Sequence, residues 1–296
     1  IDTPVTESLT VYAYWEEIPT GLIDEQPSDN FYEIFVRAFC DSDGDGIGDF
    51  NGLASKMDYL QDLGITGIWL MPITESGSYH GYDTVDYYSV EQDYGTMEDF
   101  ENMLDEAHAH GIKVIMDLVV NHTSDEHPWF VESRKSVENP YRDFYIWREG
   151  RDRKEPNNWG SCFSGSAWQW DEETRMYYLH LFSKKQPDLN WDNPRLRSEI
   201  ISMVNGGWKG RRRLPLDVIN YISKEEGLPY GNESVGKMMG YVGIEHYFYG
   251  SHLHDYLREL RCKAFDTTDA FPWGRRRGWE CRWPGFLPGR TGMSWT

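Results

Sequence analysis

Gly67-Ile68-Trp69-Leu70-Met71-Pro72-Ile73 is a short, uninterrupted apolar run, the pattern of a parallel strand covered on both faces. On its amino side Leu53, Met57, Leu60 and Leu63 recur at helical spacing, and Gly64 ends the repeat. On its carboxyl side, after a polar loop at 74–96, Phe100, Met103, Leu104 and Ala107 mark a second helix, ended by Gly111. Further out, Phe31 to Phe39 alternates and is rich in aromatics, and Ile112 to Val120 is apolar; both read as strands. The order strand, helix, strand, helix, strand belongs to a parallel α/β sheet. An open doubly wound sheet and a closed barrel both fit it. A dinucleotide-binding sheet needs a glycine-rich turn after its first strand, able to approach a pyrophosphate. Here Gly44, Gly46 and Gly48 alternate with aspartates, which would repel one. The barrel is therefore expected.

The rhythm breaks at 121–190, a stretch rich in Trp, Asn, Ser, Pro and charge that reads as a subdomain inserted after the third strand, with Met176 to Phe182 alternating inside it. Helical spacing resumes at Pro194 and runs toward Trp208; Leu216-Asp217-Val218-Ile219 reads as the end of a fourth strand; a further helix lies near Leu253 to Phe265. The expected division is a lead-in at 1–30, the first part of a barrel at 31–120, the insertion at 121–190, the barrel continued at 191–271, and a tail at 272–296.

Composition narrows the partners. The chain has 296 residues, 39% of them hydrophobic, enough for a sizeable core. Its net charge of −20 repels phosphate backbones, so nucleic acid is excluded as a partner. No apolar run approaches the roughly 18 residues of a membrane span, and no basic start followed by an apolar stretch marks a leader in this numbering. The four cysteines are scattered, without metal-ligand spacing or a disulfide framework, which favours a reducing compartment. Aromatic residues reach 15%, serving both a core and stacking against sugar faces.

Five motifs carry chemistry. Asp41-Ser42-Asp43-Gly44-Asp45-Gly46-Ile47-Gly48-Asp49 places carboxylates at alternate positions on a chain that glycines allow to curl, a hard oxygen cage suited to Ca²⁺. The expected ligands are Asp41, Asp43, Asp45, the Ile47 carbonyl and Asp49; Gly52 stands where an EF-hand needs its glutamate. Asp117-Leu118-Val119-Val120-Asn121-His122 ends the third strand, at the barrel face where chemistry resides. Tyr79-His80-Gly81-Tyr82-Asp83 offers a ring and a carboxylate on the same face. Gln186-Pro187-Asp188-Leu189-Asn190 closes the insertion. In Leu216-Asp217-Val218-Ile219-Asn220, an aspartate ends a buried strand, which is costly unless it is paired or used.

In this order the five motifs resemble glycoside hydrolase family 13, the α-amylase superfamily, over roughly residues 31–271. The resemblance implies a (β/α)₈ barrel with a subdomain after strand three, incomplete here at about its first five strands. It implies Asp217 as nucleophile, Tyr82, Asp83, His122 and Gln186 lining the glucose pocket, and Asp117 and Asn121 holding the strand end. Gln186 to Asn190 resembles the oligo-1,6-glucosidase branch, and Val218 is the residue that branch carries when it cleaves α-1,6 bonds. Trp69-Leu70-Met71-Pro72 and Ser78-Tyr79-His80-Gly81 look closer to an α-amylase type. The implied protein is a retaining α-glucosidase, a cytoplasmic monomer acting on short oligosaccharides with structural Ca²⁺. An α-amylase cutting internal α-1,4 bonds, a sucrose-isomerising or transglycosylating relative, a calcium-dependent sugar-binding fragment and export from the cell all remain open. The membrane-anchored, non-catalytic relatives need a helix that is absent from the sequence.

Two stretches depart from the family. Where it has K-G-V-D-G-F-R-L-D, the chain has Lys209-Gly210-Arg211-Arg212-Arg213-Leu214-Pro215-Leu216-Asp217, so Pro215 replaces the arginine that would keep the nucleophile ionised. Where the fifth strand should end in V-G-E-T-P-G with the acid/base glutamate, the chain reads Pro272-Trp273-Gly274-Arg275-Arg276-Arg277-Gly278-Trp279-Glu280-Cys281. One cause explains both. The string GTG GGG GAG ACG CCG GGG GTG GGA encodes V-G-E-T-P-G-V-G; read after a preceding CC, out of frame, it spells P-W-G-R-R-R-G-W. Likewise GGC GTC GAC GGC TTC CGC, shifted by one base, yields R-R-R-L-P. The expectation is a reading-frame slip at both places, with the catalytic glutamate and the later strands missing from this chain and no stable closed barrel formed by it. Independent resequencing that returns a continuous frame through the arginine-rich text would contradict this.

Overall fold

The computed structural model describes residues 29–151, 154–206 and 216–265. The lead-in, the arginine-rich approach to Asp217 and the tail at 272–296 lie outside these residues. Four parallel strand positions run side by side. β1 (Phe31–Ile34) pairs with β2 (Gly67–Leu70), and β2 pairs with a later strand, β5 (Lys113–Met116), in the register Ile34↔Leu70↔Met116. After Asp117 the third strand continues as β6 (Leu118–Val119), which pairs in parallel with β10 (Leu216–Asp217). Chain order thus equals spatial order, as in a barrel wall. A fifth strand, expected near 272–281, falls outside the described residues. Ile68 and Leu70 are fully buried, as the apolar run requires.

The first strand is shorter than its alternation suggests: after Ile34 the chain turns into a 3₁₀ segment at Val36–Ala38. The expected helix at 53–63 is two, α1 (Phe50–Ala54) and α2 (Met57–Asp62), broken at Lys56 with φ −107° and ψ 8°. Leu53, Met57 and Leu60 still face the core, but Leu63 is 53% exposed. The break lets α1 start directly beneath the acidic loop. Gly52 there lies so close to the Cys40 carbonyl that an added Cβ would sit 2.0 Å from the oxygen. The stretch at 74–96 is a hairpin as well as loop: β3 (Thr74–Ser76) pairs antiparallel with β4 (Thr84–Val90), and register irregularities hide the two-residue alternation. α3 (Met97–Ala109) follows a reciprocal capping box between Thr96 and Asp99 and buries Phe100, Met103, Leu104 and Ala107. Burying such a large apolar side chain contributes roughly 1.5–3 kcal/mol.

The insertion carries α4 (Pro128–Ser133) and a three-stranded antiparallel sheet of β7 (Trp147–Arg148), β9 (Met176–Leu179) and β8 (Trp168–Asp171), with β9 central. Its core is not self-contained. Ile146, Trp159, Trp168, Leu179 and Leu181 pack with Leu228, Ile244 and Tyr247 from beyond residue 190. Trp159 Nε1 donates to the Pro229 carbonyl (2.8 Å) and Asn157 Nδ2 to that of Leu228 (3.0 Å). The segment holding α6 (Glu233–Met239) is thereby fastened to the insertion. α5 (Pro194–Gly206) and α7 (Leu253–Leu260) pack against each other on the main core.

Candidate functional site

The carboxyl ends of the second, third and fourth strands bring most of the expected residues together. Asp117 sits where β5 passes into β6. Its Oδ1 accepts from Trp69 Nε1 (2.9 Å) and its Oδ2 from the Tyr82 hydroxyl (3.1 Å). Burial raises the Asp117 pKa, and the two donors only partly offset it. The Tyr82 phenol is pushed up by burial and by the charges of Asp117 and Asp217. Those two carboxylates and the phenol therefore form one electrostatic unit.

Asp217 ends β10 opposite Val119. Its pKa is pushed up to about 7, first by burial and then by the Asp117 charge, with only the Val218 N–H acting the other way. Among the described residues no cation acts on it. Val218 adopts φ 48° and ψ 32°, a left-handed conformation that a β-branched side chain resists.

His122 and Gln186 converge on the Tyr82 carbonyl, His122 Nε2–H at 2.9 Å and Gln186 Nε2–H at 3.0 Å. The other ring nitrogen, Nδ1, accepts from Asn121 Nδ2 (3.2 Å). That assignment makes the imidazole neutral, in agreement with burial lowering its pKa. Both ring nitrogens are thus engaged within the protein, and the imidazole is 2% exposed. Asp83, 5% exposed, accepts a short hydrogen bond from the Ser78 hydroxyl.

Behind this layer lies a feature that the motifs alone do not reveal. Asn121 and Asp188 are completely buried and surround the Lys224 ammonium: Nζ lies 2.7 Å from Asp188 Oδ2 and 3.0 Å from Asn121 Oδ1. Asn121 Nδ2 also donates to Asp188 Oδ2 (3.1 Å), and the Leu181 N–H to Asp188 Oδ1 (2.8 Å). The strand end, the closing motif of the insertion and the segment after Asp217 are joined by one buried, paired cation. Lys224 stands seven positions after Asp217, and nothing in the local sequence marks it.

The acidic loop curls as expected, with Gly44 and Gly46 at φ 88° and 92°. Oxygens of Asp41, Asp43 and Asp49 lie within 4.8 Å of one another. Asp45 accepts the Ile47 N–H at 2.7 Å. Asp41 is held below the usual carboxylate range by the N–H groups of Gly44 and Gly46. Burial pushes Asp49 up, but the Ser42 and Gly52 donors outweigh it, and Asp49 also caps α1. Three convergent carboxylates fit a hard divalent cation.

The α-amylase catalytic-domain description matches residues 33–275. An oligo-1,6-glucosidase of Bacillus cereus is 53% identical over 251 residues, 83% of this chain and 44% of that protein. An α-glucosidase of Pediococcus pentosaceus is 47% identical over 250 residues, again 83% and 44%. The solved trehalulose synthase of Pseudomonas mesoacidophila MX-45 superposes with a TM-score of 0.77 at 45% identity, covering 81% of this chain and 43% of that one. The chain spans less than half the length of the relatives it matches. With the motifs, the strand order and the profile in agreement, the chain belongs to the α-amylase catalytic-domain family of glycoside hydrolases.

Proposed function

We propose that the protein is a retaining α-glucosidase that hydrolyses α-1,6 bonds of short gluco-oligosaccharides. The observation that carries this reading is the convergence of Tyr82, Asp117, His122 and Gln186 beside Asp217, in a chain 53% identical to an oligo-1,6-glucosidase. Asp217 attacks the anomeric carbon and forms a glucosyl ester. Asp83, on the same face, accepts hydrogen bonds from glucose hydroxyls. His122 and Gln186 act through the Tyr82 carbonyl they share, keeping Tyr82 against Asp117. Retention needs a second carboxyl about 5–5.5 Å away to protonate the leaving oxygen and then activate water. In the frame-slip account that group is a glutamate encoded in the frame lost after residue 271. Pro215 likewise leaves Asp217 without the cation that would hold it ionised at neutral pH.

Asp41, Asp43 and Asp49 would hold calcium, which would fasten the loop over α1 and supply no step of bond cleavage. Free thiols at Cys40, Cys162 and Cys262, among the described residues, support a reducing, cytoplasmic location. Among the described residues no helix is long and apolar enough to cross a membrane. Isomerisation of sucrose is the second reading, favoured by the likeness to the trehalulose synthase. A fluorinated glucosyl fluoride that forms the ester but hydrolyses slowly tests the assignment. With protein from the frame-restored gene, the label should map to the peptide containing Asp217. A label on another carboxylate removes Asp217 from the role, and product analysis on isomaltose and sucrose separates the two readings.

A further inference from the structure

An imidazole can hold its proton on either ring nitrogen or on both, and its neighbours decide which. Around His122 lie the Tyr82 carbonyl, the amides of Asn121 and Gln186 and the Phe182 ring. The charges of Asp188, Lys224 and Asp83 also act on it. A carbonyl only accepts and an ammonium only donates, whereas an amide does either, according to the end it presents. The place of the proton therefore reduces to the orientation of two amides.

Both amides are pinned. Gln186 Oε1 accepts the Ser183 N–H at 3.1 Å, so its amino end faces the ring. That nitrogen lies 3.0 Å from the Tyr82 carbonyl and 3.1 Å from His122 Nε2. It could donate to either, which leaves two arrangements: Nε2 bare and accepting from Gln186, or Nε2–H donating to Tyr82. Asn121 decides between them. Its Oδ1 lies 3.0 Å from the Lys224 ammonium, which offers no lone pair, so the oxygen stays on that side. Its Nδ2 donates to Asp188 Oδ2 at 3.1 Å, a carboxylate that only accepts. The amide is thereby kept from turning, and its N–H meets His122 Nδ1 at 3.2 Å. Nδ1 is left bare and the proton falls on Nε2. A second proton, on Nδ1, would point at an N–H.

We propose that Lys224 is a positioning residue for the candidate pocket: through Asn121 it fixes the His122 proton on Nε2 and bars a second one from Nδ1. The Nε2–H then holds the Tyr82 carbonyl, and the same residue keeps its hydroxyl on Asp117. Electrostatics act in the same direction. Burial lowers the His122 pKa most, and the Lys224 charge adds to it, against the charges of Asp188 and Asp83. The proton placement stands on these contacts alone, whereas its use in catalysis rests on the glucosidase reading above.

Nitrogen-15 resonances of selectively labelled histidine test it, on the 296-residue chain and its Lys224→Arg and Lys224→Met variants, with His122→Gln identifying the signals. Bare and protonated ring nitrogens resonate far apart. The unsubstituted chain should show Nε2 protonated and Nδ1 bare between about pH 8 and pH 5, the range in which an ordinary histidine titrates. Lys224→Arg keeps a donor-only cation and should keep that pattern. Lys224→Met frees the Asn121 oxygen and leaves Asp188 to attract a proton. His122 should then gain a second proton within that range, a rise in proton affinity of at least about tenfold. A purely structural lysine would not move this signal. A proton on Nδ1 in the unsubstituted chain overturns the proposal, even where Lys224→Met does not fold. So does a folded Lys224→Met chain whose His122 signals match the unsubstituted ones. Glucose release from isomaltose is read separately: its absence from the frame-restored enzyme removes the glucosidase reading and leaves the proton placement standing.

Discussion

Asp217→Asn should stabilise the chain at alkaline pH, an uncommon result for a residue at the centre of a candidate active site. The ordinary value of its carboxyl is 3.8, and in the fold it is pushed up to about 7. A carboxyl raised in the folded state binds its proton more tightly there than in the unfolded chain. Its ionisation therefore costs stability as pH rises from the unfolded value through the folded one, and the cost is complete above about pH 7. At 1.36 kcal/mol per unit, a rise of about three units corresponds to about 4 kcal/mol at pH 8. At pH 5 only the interval from 3.8 contributes, about 1.6 kcal/mol. Urea unfolding of both proteins at the two values should show an asparagine advantage that shrinks by roughly 2 kcal/mol on acidification. An equal difference at both pH values, or a destabilised variant at pH 8, would refute the reasoning. It would mean that a cation, the arginines at 211–213 being the available source, reaches Asp217.

Lys224→Met leaves Asp188 charged and buried without its partner and should cost about 3–5 kcal/mol in urea unfolding; adding Asp188→Leu should recover most of the loss. Millimolar Ca²⁺ should raise the thermal midpoint, a chelator should reverse the rise, and Asp43→Asn should abolish it. Asp45→Asn should diminish it less, because Asp45 is not among the three mutually close carboxylates. Val218→Asn relieves a left-handed β-branched residue and should raise stability by about 1 kcal/mol by the same unfolding measurement; a loss would show that the valine side chain is needed where it stands.

What the sequence revealed and what it hid follow from range. The apolar run at 67–73 and the stripes at 53–60 and 100–107 report burial, which is local in pattern, and they place a strand and its two flanking helical segments in the right order. The β3–β4 hairpin was read as loop because its register shifts break the alternation. The gap at Lys56 was missed because the same residues stay buried on both sides of it. At the site, Asp117, Asn121 and His122 were legible from their place at a strand end. Lys224 was not, since nothing local distinguishes a lysine that will meet Asp188 across 36 residues of sequence. Trp69 and Ser78 hold Asp117 and Asp83, a role that leaves no mark in the sequence because a hydrogen bond between loops has no sequence period.

Glucose release from isomaltose tests the central claim most directly, measured on protein from the frame-restored, full-length gene with and without Asp217→Asn. The account predicts cleavage of isomaltose, and a loss of at least about a thousandfold in kcat when the nucleophile is replaced. Starch cleavage with isomaltose left intact, or full activity in Asp217→Asn, would contradict it.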